Sequence, residues 1–259
     1  RSLFKSTNFE IPKVGKYTFS QDEKQLLLAT KTEKIYRYSS KSVYYIYNIF
    51  TDKLKKLSED KVMYATFSPN GEKVAYVFEN NLYIKNIRSG ITTQVTNDGK
   101  KNHIINGASD WVYEEEFGLR NGFRWSPDSR HIAYWHFDAN GIKTFYMINN
   151  TDSLYPQLIP LQYPKVGTIN SACKVGVVSA EGGKTTWFKV PGDARDHYIP
   201  KMEWAAASDE VVIQQLNRLQ NTNKVMLGKI SDGSVTTIHT EKDEAWLDVN
   251  DDLKWFNKI

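Results

Sequence analysis

The chain has 259 residues, enough for one large hydrophobic core or for two domains of ordinary size. Its formal net charge is +4, and lysine and arginine are spread along the whole length instead of forming the basic stripe of a nucleic-acid-binding protein. No apolar run approaches the roughly 18 residues that a membrane-spanning helix needs. Aromatic residues make up 13% of the chain, so the composition indicates a globular protein rich in β-structure.

One phrase recurs in chain order: an aromatic residue leads into a turn, and an alternating strand follows. Its copies lie at 18–31, 66–79 and 124–137, with a weaker copy at 203–216. A further strand pattern follows each copy, at 42–49, 80–87, 143–149 and 224–230. Most units then end in a polar turn and a short third strand. Strands and turns repeated in this way are typical of the blades of a β-propeller.

This repeat predicts an all-β fold, namely a β-propeller of four-stranded antiparallel blades. A single blade is too small to bury both of its faces, so stability requires each blade to stack on the next. Helical periodicity is nearly absent. Cys173 is the only cysteine, and it lies in an apolar run that predicts a buried core thiol.

The repeats are unevenly spaced, which indicates long insertions in the third and fourth units. Residues 244–259 resemble the beginning of another unit. Because a blade takes roughly 40–50 residues, the chain holds about four to five blades, and we expect an incomplete fragment of a larger ring. Its terminal blades would then expose surfaces that either associate with another copy or remain disordered.

Four segments together resemble one known family: DWVYEEEF (110–117), RWSPDSRHIAYWHFD (124–138), YPKVGTIN (163–170) and KIYRYSSKSVYYIYNI (34–49). In order and spacing they are similar to the N-terminal β-propeller domain of dipeptidyl peptidase IV-like serine exopeptidases, which belong to the prolyl oligopeptidase superfamily. The resemblance covers essentially all of 1–259 and departs from the family at Ser171, where proline is usual. It implies part of an eight-bladed ring, and the lack of paired cysteines resembles the bacterial members.

The resemblance implies an activity divided between two domains. Family members remove dipeptides from the N-termini of peptides, often after proline or alanine. Their propeller gates access to an α/β-hydrolase domain, which follows it and supplies serine, aspartate and histidine. This chain has no G-x-S-x-G motif, and none of its five histidines has a recognisable nucleophile partner. We therefore expect the catalytic domain and all catalytic residues to lie outside 1–259, and the chain alone to be inactive.

The same resemblance implies the partners of the chain. These are peptide N-termini as substrates, the C-terminal α/β-hydrolase domain of the same parent, and another copy of the chain in a homo-oligomer. No cofactor, metal or nucleic acid is expected. The likeness to bacterial members favours a periplasmic or cell-surface location.

By motif position, Glu115 and Glu116 would bind the α-ammonium group of the substrate. An ammonium group has three donors and no acceptor, which suits two carboxylates. Neighbouring side chains lie about 100° apart on a helical turn and can converge, whereas on a strand they point to opposite faces. The sequence therefore predicts a short helical turn at 111–117, with Glu114 facing water. In an ordinary globular chain such an acidic run is a solvated turn, but the surrounding family segments favour amine binding.

Arg37 matches the family arginine that binds the carbonyl of the substrate's second residue and braces a glutamate, and its forked guanidinium suits that task. The alternative is an edge-strand arginine packed on Tyr36 or Tyr38. The aromatic residues predicted to pack rather than bind are Trp111, Tyr113, Trp125 and Trp135. The family's pocket aromatic has no assigned equivalent here, and the nearest segment is AWLDVNDD (245–252).

Two other functions fit the same fold. A non-enzymatic β-propeller would serve as a protein-interaction platform, because this fold carries many unrelated functions. A peptidase-like domain whose parent has lost catalysis would keep the family segments without the activity.

Overall fold

Antiparallel sheets follow one another along the computed structural model, which describes residues 9–250 and 252–255. The strands of the first sheet are β1 (Val14–Phe19), β2 (Gln25–Lys34), β3 (Ser40–Asn48) and β4 (Lys53–Lys56). Those of the second are β5 (Met63–Phe67), β6 (Lys73–Phe78), β7 (Asn81–Asn86) and β8 (Thr92–Gln94). In both sheets the strands lie side by side in chain order, which is the arrangement of a propeller blade.

The third sheet is built from strands that are separated by two insertions. Its elements in chain order are β9 (Ile104–Asn106), the helix α1 (Trp111–Phe117), β10 (Phe123–Trp125), β11 (His131–Asp138), the separate hairpin β12 (Thr144–Asn149) and β13 (Gln157–Gln162), β14 (Ala172–Ser179) and β15 (Thr186–Trp187). The sheet order is β10-β11-β14-β15, and β9 pairs with β11. The first insertion therefore carries a helix, and the second carries a two-stranded arm.

The fourth sheet is again a simple series of hairpins. Its strands are β16 (His197–Trp204), β17 (Glu210–Asn217), β18 (Thr222–Lys229) and β19 (Val235–Lys242). The helix α1 is seven residues long. No helix among the described residues is long and apolar enough to cross a membrane.

The repeated phrase of the sequence has a direct structural counterpart. The first strand of each sheet ends at the recurring aromatic residue, which is Phe19, Phe67, Trp125 or Trp204. Two of these aromatics also tie neighbouring sheets together. The indole N–H of Trp125 donates to the carbonyl of Thr66 at 3.3 Å, and that of Trp204 donates to the carbonyl of Arg124 at 3.0 Å. The all-β propeller prediction is confirmed.

Apolar residues fill the spaces between consecutive sheets. One core joins Leu27 of the first sheet to Val74 of the second. A larger core runs through the second, third and fourth sheets and includes the fully buried ring of Trp135. Blades therefore stack as the repeat requires. Cys173 is buried in the larger core, as predicted.

Three details of the sequence prediction were wrong. The strand at 143–149 does not join the third sheet, because β12 pairs only with β13 and the place beside β11 is taken by β14. The fourth unit has no insertion, since β16–β19 form consecutive hairpins. Residues 244–250 and 252–255 contain no strand, and the rest of that predicted unit lies outside the described residues. Alternating hydrophobicity identifies a strand but not its partner, which explains the first error.

Candidate functional site

The predicted helical turn at 111–117 is confirmed as α1, and local signals explain where it begins and ends. Asp110 is the N-cap, and its carboxylate accepts a hydrogen bond from the backbone N–H of Tyr113 at 2.9 Å. Gly118 ends the helix in the left-handed conformation, with φ of 63°. The pKa of the Asp110 carboxyl is raised, chiefly by burial. The helix thus has a defined start and a defined end, which orients its glutamates.

Glu114 does not face water, so that prediction was wrong. Its side chain is 0% exposed and accepts hydrogen bonds from the backbone N–H groups of Tyr38 at 2.9 Å and of Ser39 at 3.1 Å. The hydroxyl of Ser39 donates to the second carboxylate oxygen. The first of the three glutamates is therefore an internal residue that bonds to the loop between β2 and β3.

Arg37 and Glu115 are brought together, although they lie far apart in the sequence. The Nε atom of Arg37 is 3.6 Å from Oε1 of Glu115, and the side chains are 69% and 16% exposed, respectively. The cation near the Tyr38 ring is Arg120, whose guanidinium lies 4.2 Å from the ring centroid. The Arg37 side chain is thus held beside the sheltered carboxylate with its outer surface open to solvent.

Glu116, the next residue after Glu115, is exposed. It lines a cleft of about 280 Å³ together with Phe117, Lys201, Gln220 and the segment 246–249. Trp246 in that segment is 54% exposed, and its indole N–H donates to Asp248 at 3.2 Å. The structure therefore places the segment in which a pocket aromatic was sought beside Glu116.

Acidic side chains are concentrated at the C-terminal end of α1. Glu115 and Glu116 lie near the C-terminal end of the helix, where the helix dipole is negative and where no basic residue occupies the last turn. Burial raises the pKa of Tyr36 to about 12, with smaller contributions from Asp110 and Glu114. Adjacent carboxylates at a negative helix end repel one another, and the guanidinium of Arg37 offsets part of that repulsion at Glu115.

The aromatic residues around the helix pack as predicted. Tyr113 and Trp135 are buried, and the Tyr113 hydroxyl accepts a hydrogen bond from the backbone N–H of Ile199 at 2.9 Å. Trp111 is half-buried with its ring centroid 4.3 Å from that of Tyr163. The role of Ser39, which bonds to Glu114, was not predicted from the sequence. A serine in a hairpin loop carries no sequence signal for that role, since the role depends on what lies opposite.

The stacked four-stranded sheets and the inserted acidic helix define a β-propeller domain that presents carboxylates at a surface cleft. Residues 20–258 match the family described as "Dipeptidyl peptidase IV (DPP IV) N-terminal region", and the chain belongs to that family. The resemblance drawn from the four sequence segments is confirmed.

Relatives match over most of this chain and over about a third of their own length. "Inactive dipeptidyl peptidase 10" of Mus musculus is 30% identical over 99% of this chain and 33% of the relative. "Probable dipeptidyl peptidase 4" of Aspergillus clavatus is 34% identical over 86% of this chain and 30% of the relative. The crystal structure of Porphyromonas gingivalis dipeptidyl peptidase 4 has a TM-score of 0.88 and 35% identity, covering 94% of this chain and 35% of that one. The relatives thus include named peptidases and others that are named inactive.

Proposed function

We propose that this chain is the substrate-anchoring propeller of a dipeptidyl peptidase, in which Glu115 and Glu116 bind the α-ammonium group at the N-terminus of a peptide. The ion pair between Arg37 and Glu115 carries the proposal. The contact supports the proposal because it joins Arg37 to Glu115, two residues that the family resemblance assigns to substrate binding. Arg37 braces Glu115 and leaves further guanidinium donors for the substrate carbonyl.

The strength of such an anchor depends on shelter from water. Two unit charges 4 Å apart interact by roughly 4 kcal/mol at an effective dielectric constant of about 20. A fully exposed ion pair is worth only about 0–1 kcal/mol. The Glu115 side chain is mostly sheltered from water, so its ion pairs should be closer in strength to the sheltered pair than those of Glu116, which is exposed. Glu115 is therefore expected to contribute more binding energy than Glu116.

In this proposal the peptide bond is cleaved by an α/β-hydrolase domain elsewhere in the full-length protein. The propeller gates access to that domain and holds the amine at a set distance from its serine, so that two residues fit between them. N-terminal dipeptides, often ending in proline or alanine, would be the products. Residues 1–259 alone are expected to show no peptidase activity.

The anchor is tested by Glu115→Gln and Glu116→Gln in the full-length protein, with Glu241→Gln on the exposed strand β19 as the matched control. Binding of the dipeptide Ala-Pro and of N-acetyl-Ala-Pro is measured by titration calorimetry, together with hydrolysis of Ala-Pro-p-nitroanilide. We expect both variants to weaken Ala-Pro binding, the first more strongly, and the control to leave it unchanged. Normal affinity in both variants, or equal affinity for the acetylated dipeptide, contradicts the anchor.

A second candidate, the interaction platform, is favoured by the arm of β12 and β13. The arm exposes Tyr146, Ile148 and Leu158. Asp152 is the only charged residue between 144 and 162, so two copies of this surface would meet without strong repulsion. We propose a second copy of the chain as the occupant. Tyr146→Asp should shift a dimer to a monomer in sedimentation velocity. A monomeric unmodified protein contradicts this candidate without affecting the anchor.

A further inference from the structure

The three donors that meet the Glu114 carboxylate all belong to one loop. Residues 35–39 join β2 to β3, and within this loop the backbone N–H of Ile35 donates to the carbonyl of Ser39 at 2.8 Å. Tyr38 and Ser39 donate from the backbone to Glu114, and Ser39 donates again from its hydroxyl. Arg37 directly precedes these two donors. The buried glutamate of α1 thus holds the loop that carries the arginine.

Burial makes this attachment strong. A buried carboxylate is costly unless donors satisfy its oxygens, and hydrogen bonds to a charged group are stronger than those between neutral groups. Movement of the loop away from α1 would leave the carboxylate of Glu114 buried without these donors. The loop is therefore favoured in the one position that places Arg37 beside Glu115.

A residue of the second sheet also contacts Ser39. The hydroxyl of Tyr64 bonds to the hydroxyl of Ser39. Tyr64 has a φ of 56°, a left-handed backbone that bulky residues rarely adopt, at a register shift between β5 and β6. Backbone strain of this kind is unfavourable and persists where the surroundings require it. Here the bulge brings the hydroxyl of Tyr64 to Ser39.

We infer that Glu114 is a positioning residue: it does not bind the substrate but fixes the Arg37 loop on α1, so that Arg37 is already placed when a peptide arrives. The inference rests on the proposed anchoring role of Glu115 and Arg37. Its physical content is pre-organisation, because a loop fixed before binding loses less conformational freedom on binding. Ser39 and Tyr64 contribute to fixing the same loop.

The test compares Glu114→Gln, Arg37→Ala and the double variant in the full-length protein. Affinity for Ala-Pro and the KM for Ala-Pro-p-nitroanilide are measured, with thermal unfolding as a check on folding. We expect Glu114→Gln to weaken Ala-Pro binding by about tenfold, which corresponds to the loss of one charged hydrogen bond. A positioning residue acts through Arg37, so in the Arg37→Ala background the same change should have less than about a twofold effect.

Amide hydrogen exchange supplies a readout that does not depend on catalysis. Glu114→Gln should accelerate exchange at Tyr38 and Ser39 and leave Val225 in β18 unchanged. If Glu114→Gln does not fold, Ser39→Ala and Tyr64→Phe replace it, and each is compared alone and in combination with Arg37→Ala.

The outcomes separate this inference from the proposed function. Full additivity of the two substitutions, or unchanged affinity in Glu114→Gln, overturns the positioning role. Unchanged affinity in Glu115→Gln and Glu116→Gln overturns the anchor itself. Loss of affinity in those two variants together with additivity between positions 114 and 37 refutes only the positioning role.

Discussion

The ring of Trp111, the first residue of α1, lies 4.3 Å from the ring of Tyr163, the residue that follows the second strand of the arm. Tyr163 also contacts Phe145 of β12, with their centroids 5.7 Å apart. Side chains therefore connect the exposed arm to the start of the helix that carries the glutamates. A substitution in the arm that removes one of these rings should therefore alter the packing of α1.

Loss of the Tyr163 ring should loosen the position of α1, because the ring packs on Trp111. Aromatic pairs contribute about 0.5–1.5 kcal/mol beyond the area they bury. We expect Tyr163→Ala to weaken binding of Ala-Pro by several-fold in titration calorimetry, while Tyr163→Phe, which keeps the ring, leaves it unchanged. Equal affinities of the two variants would show that α1 keeps its position without this contact.

Arg37→Ala should separate stability from binding. The ion pair of Arg37 is largely open to solvent on the arginine side, so its loss should cost less than about 1 kcal/mol in the free energy of unfolding. Binding of Ala-Pro should fall by about tenfold or more, since a charged hydrogen bond is lost. Arg37→Lys should restore little, because an ammonium group lacks the planar fork. A full rescue by lysine would mean that charge alone is required.

The left-handed end of α1 gives a prediction for Gly118. A Cβ atom at this position would meet nothing within 4 Å, so only the φ of 63° opposes substitution. We expect Gly118→Ala to lower the free energy of unfolding by about 1–2 kcal/mol. Gly118→Asn should cost less, because asparagine tolerates this conformation. Urea unfolding of the two variants measures the difference, and equal costs would contradict the backbone explanation.

The buried His136 predicts a loss of stability in mild acid. Its ring bonds to Asn106 at 2.8 Å, and its pKa is lowered from 6.5 to about 4, first by burial and then by Lys174, against the opposing effects of Asp98 and Asp138. Below pH 6.5 the unfolded chain takes up a proton that the folded chain excludes until about pH 4. Protonation therefore favours unfolding across this range, by up to about 3 kcal/mol at its lower end.

Urea unfolding at pH 7 and pH 5 measures this effect. His136→Gln should reduce the loss of stability between the two pH values, and His239→Gln, on an exposed position of β19, should not. Some dependence will remain in His136→Gln, because burial also lowers the pKa of His197. An unchanged slope in His136→Gln would exclude this residue as the source.

Much of the fold was predictable because it depends on local patterns. The recurring aromatic and its turn mark the end of the first strand in all four sheets, and the phrase at 110–117 correctly predicted a helical turn. The strand at 144–149 was also recognised as a strand. Its assignment to the third sheet failed, because alternation is the same in a blade strand and in an arm.

The sequence by itself determined the repeat, the all-β class, the position of α1 and the identity of the residues to examine, since each depends on neighbours along the chain. Only the tertiary structure decided what those residues face. Glu114 was expected in water and is buried against a loop 76 residues away, whereas Arg37 reaches Glu115. Local periodicity sets the direction of a side chain relative to its own element, but the stacking of sheets sets what lies opposite it.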